Sequence, residues 1–150
     1  MEYLFKGTQE GDIKSLEYFM KAADLGNVEA QNMVGVYFFE GKGTEKDCEK
    51  ALLYFEKAAS EGNMRAILNK GKCLLEGKTR NEKKAFECFV EASSLGHKDA
   101  DYFIGVCYYE GRGVEKDLEK SREFFKKAAE KGSIEAKENV ARCKFDGFCL

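Results

Sequence analysis

The sequence predicts an all-α protein, a solenoid of stacked antiparallel helix pairs running through all 150 residues as a single array. Three observations predict it. Gly26, Gly62, Gly96 and Gly132 recur at spacings of 36, 34 and 36, and other columns hold the same register. These are Ala30, Ala66, Ala100 and Ala136; Gly35, Gly71 and Gly105, with Ala141 fourth; Phe19, Phe55, Phe89 and Phe125; and Ala22, Ala58, Ala92 and Ala128. The one short step falls in a loop: GKGTEKD (41–47) and GRGVEKD (111–117) match, while the middle copy reads GKTRN (77–81). Proline is absent, which leaves helices uninterrupted and makes the 15 glycines the punctuation.

A lone B-type helix is expected over about 12–24, stopped at Gly26. Three A–B pairs follow over about 27–62, 63–96 and 97–132, and a last A helix lies within 133–147. The A helices have the form VEAQNMVGVYFFEG (28–41) and are entered through Asn27, Asn63 and Ser133, whose side chains accept the unpaired N–H groups of a first turn; His97 is the poorer cap of the third copy. The B helices have the form EKALLYFEKAASEG (49–62), in which Ala51, Leu52, Phe55, Ala58 and Ala59 share one face, with Asp47, Asn81 and Asp117 as caps. Each B helix ends at a glycine, the residue that tolerates the positive φ of a helix stop. Small residues such as Ala30, Gly35 and Ala58 let helices approach closely, and a pair too small to bury its apolar face alone must stack on its neighbours. In the last A helix Lys137, Glu138, Arg142 and Lys144 supply the polarity suited to an end repeat.

Composition excludes several functions. Lys+Arg number 25 against 27 Asp+Glu, so the net charge is −2 and no cationic face for nucleic acid is expected. Apolar residues make up 43%, enough for a packed core. No apolar run approaches the roughly 18 residues of a membrane span. The N-terminal MEYLFKGTQEGD has no basic start followed by an apolar stretch, so no secretory signal is expected.

The pattern A-x-x-x-[apolar]-G-x-x-[aromatic]-x-x-G-x-G-[VT]-x-x-D-x-x-K-A, ending K-A-A-x-x-G, is carried by Ala30, Val34, Gly35, Phe38, Gly41, Gly43, Asp47, Lys50, Ala51, Lys57, Ala58, Ala59 and Gly62. Ala100, Ile104, Gly105, Tyr108, Gly111, Gly113, Val114, Asp117, Lys120, Lys127, Ala128, Ala129 and Gly132 carry it again. It resembles the SEL-one-like repeat, a branch of the tetratricopeptide-type helical repeats, over about residues 7–147. Lys70 stands where an apolar residue is usual, Ser121 where Ala is usual, and GKTRN lacks the G-x-G. The resemblance implies a right-handed superhelix serving as an adaptor or scaffold, with A helices lining a concave surface.

On that resemblance four positions per A helix face the groove: Glu29, Asn32, Val36 and Phe39; Arg65, Leu68, Lys72 and Leu75; Asp99, Tyr102, Val106 and Tyr109; and Glu135, Glu138, Arg142 and Phe145. The column Phe39, Leu75, Tyr109, Phe145 suits either a partner segment or packing against the next repeat. Arg65 and Lys72 suit either a partner carboxylate or a solvated face.

Cys73, Cys107 and Cys143 occupy one place on successive A helices and read as core residues, because equivalent positions lie about 9–10 Å or more apart, beyond disulfide reach. Cys88 replaces Tyr18, Tyr54 and Phe124 in a B-helix column, while Cys48 and Cys149 are expected at the surface. A Cys73–Cys88 staple is the alternative, matching the helix-pair disulfides of secreted members of the family. Free thiols fit a reducing compartment, so a cytoplasmic location is expected. No C-x-x-C or Cys/His cluster exists, so no metal is expected, and the only His, His97, reads as a cap. Glu40, Glu76, Glu110 and Asp146 recur at the ends of A helices, where the dipole disfavours them, which suggests a structural task in the loops. No pair of carboxyls in contrasting environments stands out, and GKG and GRG lack the strand and the G-K-[ST] of a phosphate loop.

The function expected is a non-catalytic adaptor without cofactor that binds a partner's peptide or helix on its concave face. Two alternatives stay open: a redox-responsive or disulfide-stapled secreted protein, and a regulatory array cut from a larger enzyme. The second draws on GTQEGD (7–12), which matches the loop register of GTEKDC (43–48).

Overall fold

A computed structural model of the chain describes residues 2–78 and 80–138. Among them lie seven helices: α1 (Glu2–Asp24), α2 (Val28–Glu40), α3 (Cys48–Ser60), α4 (Met64–Glu76), α5 (Glu82–Ser94), α6 (Ala100–Glu110) and α7 (Leu118–Glu130). A further helical stretch covers 134–138, and the described residues include no strand. Two compact units divide the chain, one ending at Arg80 with α1–α4 and one beginning at Asn81 with α5–α7.

The predicted caps form. Asn27, Asp47, Asn63, Asn81 and Asp117 each accept the backbone N–H three residues on, at 2.8–3.1 Å, and Ser133 accepts that of Ala136. Gly26, Gly62, Gly96 and Gly132 end their helices at φ between 82° and 95°. The third A helix differs. His97 Nδ1 accepts from Asp99 N at 3.1 Å, two residues on, and the helix starts at Ala100.

Within a pair, the A-helix glycine is a seat for the B-helix phenylalanine. A Cβ on Gly35 would stand 2.5 Å from Phe55 Cε1, and one on Gly105 would stand 2.8 Å from Phe125 Cδ1. Beside this contact Phe38 stacks on Tyr54, and Tyr108 on Phe124. In the first unit the core gathers Leu16, Val34, Tyr37, Phe38, Ala51, Phe55 and Cys73. In the second, Phe89 stacks on Phe103, and Ser121 donates from Oγ to Gly105 O at 2.8 Å, which satisfies the hydroxyl that replaces the usual Ala.

The first helix is longer than the sequence indicates: it runs from Glu2, and the loop-like stretch 7–12 is helical. In the two formed loops Asp47 N bonds to Phe38 O and Asp117 N to Tyr108 O, and the second glycine of each G-x-G lies on B-helix backbone, Gly43 on Asp12 within α1 and Gly113 on Glu82 at the start of α5. The middle loop also differs: Gly77 is extended (φ −79°, ψ 174°), whereas Gly41 and Gly111 are left-handed.

Gly35→Ala is expected to destabilise the protein by about 1–3 kcal/mol, because the added methyl overpacks the Phe55 seat. Combining it with Phe55→Leu should cost less than the two single changes added together. Urea denaturation followed by circular dichroism checks both.

Candidate functional site

In the first unit, side-chain rungs tie α2 to α4. Asn63 Nδ2 donates to Glu29 Oε2 at 3.0 Å, and Arg65 Nη1 lies 3.5 Å from Glu29 Oε1. Asn69 Nδ2 donates to Asn32 Oδ1 at 3.1 Å. Asn32 is only 3% exposed, and Leu68 and Leu75 are buried as well. Of the groove residues expected in this unit, then, Asn32, Leu68 and Leu75 do not present their side chains to solvent. Val36, Phe39 and Lys72 are half-buried, and Glu29 and Arg65 are exposed. Lys46 Nζ stands 5.4 Å over the ring of Phe39.

In the second unit, Tyr102 is half-buried between Phe103 and Phe125, with ring centroids 5.1 and 5.6 Å away. Val106 is half-buried and Tyr109 exposed. Asp99 sits at the cap position of α6. Glu135 and Glu138 are exposed, while Arg142, Lys144, Phe145, Cys143, Asp146 and Cys149 lie outside the described residues. Of the acidic A-helix ends, Glu110 meets a base: it pairs with Arg112 at 3.4 Å, and Arg112 also reaches Glu82 at the start of α5 at 3.5 Å.

The family model of the Sel1 repeat matches residues 2–27, 28–63, 65–97 and 98–133. The chain belongs to the Sel1 repeat family. Sel1 repeats generally mediate protein–protein interactions. The chain is similar to a Sel1 repeat protein from Oxalobacter formigenes, with a TM-score of 0.75 and 25% identity over 88% of this chain and 55% of that one. It is also similar to c5321, a protective antigen of uropathogenic Escherichia coli with an SLR fold, with a TM-score of 0.74 and 28% identity over 87% of this chain and 28% of that one. Helicobacter pylori cysteine rich protein B shares the fold at a TM-score of 0.61 and 23% identity, covering 87% of this chain and 95% of that one. These likenesses establish the α-solenoid fold class. Among curated proteins, chitin synthase regulatory factor 3 of Schizosaccharomyces pombe is 37% identical over 72 residues. That match covers 48% of this chain and only 8% of the relative's length.

The core thiols of Cys73 and Cys107 are withdrawn from solvent. Cys48, Cys73, Cys88 and Cys107 are free thiols. Burial pushes Cys73 up from its ordinary 9.0 to about 12, with Cys48 and Glu76 acting in the same direction and Lys46 and Lys72 against it. Burial does the same at Cys107, to about 12, against the opposing pull of Arg112. Cys48 is half-buried, not fully exposed as the sequence suggests. It lines a cavity of about 440 Å³ with Lys46, Glu76 and Lys78, beside the shortened middle loop. Among the described residues no group of three His, Cys, Asp or Glu is placed to hold a metal ion.

One feature of the second unit is not legible in the repeat pattern. Asp101 is 2% exposed; its Oδ1 accepts from Ser93 Oγ at 2.6 Å, and Lys131 Nζ approaches Oδ2 at 2.6 Å as an ion pair without hydrogen-bond alignment. Three helical segments are joined at one buried carboxylate. The register places Gln31, Ile67 and Lys137 at the Asp101 position, so no column signals it.

Two outcomes are expected. Lys131→Met should cost about 3 kcal/mol by stranding the buried carboxylate, and Asp101→Leu with Lys131→Met should cost less than Lys131→Met alone; chemical denaturation reads both. The Cys73 and Cys107 thiols must stay neutral in the folded chain but ionise above pH 9.0 once unfolded. Their stabilisation is therefore complete below pH 9.0 and is lost as pH rises towards about 12. Cys73→Ala with Cys107→Ala should flatten the fall of the urea midpoint above that pH, and in the native wild type iodoacetamide should label Cys48 before either.

Proposed function

We propose that the chain is a protein-interaction module with no catalytic chemistry of its own, which receives a partner's peptide or helix on the face formed by its A helices. What carries this reading is a pair of matching half-open apolar patches in a family of interaction scaffolds: Val36 and Phe39 on α2, and Val106 and Tyr109, beside Tyr102, on α6. Partly exposed aromatic and β-branched side chains on rigid helices supply contact area at little entropic cost. The exposed Arg65–Glu29 pair is worth about 0–1 kcal/mol, so a partner carboxylate can take the place of Glu29. Lys72, on the same helix face, adds positive charge for an acidic residue. Asn32, Leu68 and Leu75 support this surface from below.

No described helix is long and apolar enough to cross a membrane. Buried thiols suit a reducing compartment, and we place the module in the cytoplasm. The likeness to a chitin synthase regulatory factor favours a compatible second reading, in which the partner is an enzyme that the module recruits or regulates.

Partners captured on the immobilised chain and identified by mass spectrometry supply the ligand for calorimetric titration. Lys72→Glu with Tyr109→Ala should weaken that ligand at least tenfold while helicity stays constant. An unchanged affinity would remove the A-helix face from the proposal.

A further inference from the structure

In two of the helix pairs three helix ends meet: the end of the preceding B helix, the start of the A helix and the end of its own B helix. In the second unit a buried carboxylate closes this junction. Asp101, in the first turn of α6, accepts from Ser93 of α5 through Oδ1. Its Oδ2 meets the ammonium of Lys131, just past α7, at 2.6 Å.

The first unit builds the same junction from different residues. Gln31 of α2 stands in the Asp101 register, Ala23 of α1 in that of Ser93, and Glu61, just past α3, in that of Lys131. Gln31 Nε2 donates to Ala23 O at 3.5 Å, which ties Gln31 to α1 as Asp101 is tied to α5. Gln31 Oε1, the counterpart of the oxygen that Lys131 meets, is buried and accepts no hydrogen bond from any described residue. A buried acceptor without a donor is costly, so this oxygen calls for one. Gln31 also lines a cavity of about 340 Å³, with Gly26, Val28, Lys57, Ser60 and Glu61.

The cavity favours a cation. The ends of α1 and α3 bring two negative helix termini to it, against one positive terminus at α2 that Asn27 already caps. Glu61 adds a carboxylate. Ser60 donates its hydroxyl hydrogen to Lys57 O at 2.7 Å, so the lone pairs of its Oγ remain for another donor. Lys57, the cation on the lining, is drawn off: its Nζ stands 5.6 Å over the ring of Tyr54. Lys127 stands 4.9 Å over Phe124 in the same way, in the unit where Lys131 fills the junction.

We infer that this cavity takes the ammonium of a lysine side chain from a partner protein, which does for Gln31 what Lys131 does for Asp101. The ammonium donates to Gln31 Oε1 and Ser60 Oγ and pairs with Glu61, while its alkyl stem lies on Val28. Gln31 as a whole is half-buried, and a turn of its terminal amide, a soft torsion, brings Oε1 to the ligand. The second unit identifies the chemical class, because the group that completes the junction there is a lysine ammonium. None of these residues belongs to the A-helix face, and the inference does not rest on the proposed function.

The test titrates the isotope-labelled 150-residue chain with Nα-acetyl-lysine N-methylamide and reads backbone and glutamine side-chain amide shifts by nuclear magnetic resonance. Saturable shifts are expected at Gly26, Gln31, Ser60 and Glu61. The capped norleucine analogue keeps the stem, lacks the ammonium and should bind at least tenfold more weakly. Glu61→Lys brings an ammonium of the chain's own to the cavity and should weaken the probe at least tenfold. Glu61 is exposed, so this change should leave the thermal melt in place. Gln31→Leu, which puts an apolar residue where the register has Ile67, should weaken the probe as much without adding charge. Lys72→Glu with Tyr109→Ala should leave the affinity unchanged, which separates this cavity from the A-helix face. Absence of saturable shifts at these four residues overturns the inference and leaves water as the partner of Gln31 Oε1. Equal affinity for the norleucine analogue, or an unchanged affinity in Glu61→Lys, overturns it as well. Saturation by cadaverine but not by the capped lysine overturns it too, because the occupant is then a free diamine.

Discussion

The contact on which the rest of the structure depends is a phenylalanine ring lying on a bare helix backbone. Phe55 on Gly35 and Phe125 on Gly105 bring two helices closer than any side chain would permit. Removing one Cβ from the A helix makes room for a ring on the B helix, and the ring then covers backbone that would otherwise face water. The small trio positions around it, Ala51 and Ala58 on α3 and Ser121 and Ala128 on α7, have no freedom to grow. A column of glycines and a column of phenylalanines are therefore one constraint written twice. They must keep step along the chain, because a one-residue slip on either helix turns the ring about 100° away from its seat.

Once the pairs are set at that distance, polar details follow. The second glycine of each G-x-G lies on B-helix backbone, at Asp12 or at Glu82, so the loops belong to the packing. Where the middle copy drops this glycine, Gly77 adopts an extended backbone and space opens beside Cys48. Between α2 and α4, polar rungs run beside the core that Cys73 shares with Val34 and Tyr37: Asn69 to Asn32 and Asn63 to Glu29. The apolar work lies within and between pairs, and hydrogen bonds set the register of neighbouring A helices.

Much of this is legible in the sequence because the repeat prints each constraint more than once. Five of the six caps that form are Asn or Asp at fixed offsets, and the stops are glycines in register. What the columns do not carry is missed. The helical path of residues 7–12 depends on what packs against them, which a local match to a loop motif does not reveal. The burial of Asn32, Leu68 and Leu75 depends on how far each A helix is turned towards its neighbour, a few tens of degrees that spacing alone leaves open. Asp101 with Ser93 and Lys131 occurs once, so repetition offers no signal for it.

The same logic separates fold from recognition. A position that must be Gly, Phe or Ala to let the pairs close cannot also vary to suit a ligand. On the proposed function, partner choice is left to positions the packing tolerates in several forms: Glu29, Arg65 and Asp99 in one column, Val36, Lys72 and Val106 in another, Phe39 and Tyr109 in a third. The first column changes sign between copies and the second changes from apolar to basic, while the glycine seats between them are constant. A relative can therefore share the fold at 23% identity. Resemblance in the constant columns fixes the architecture, and on the proposed function it is the variable columns that decide what is bound.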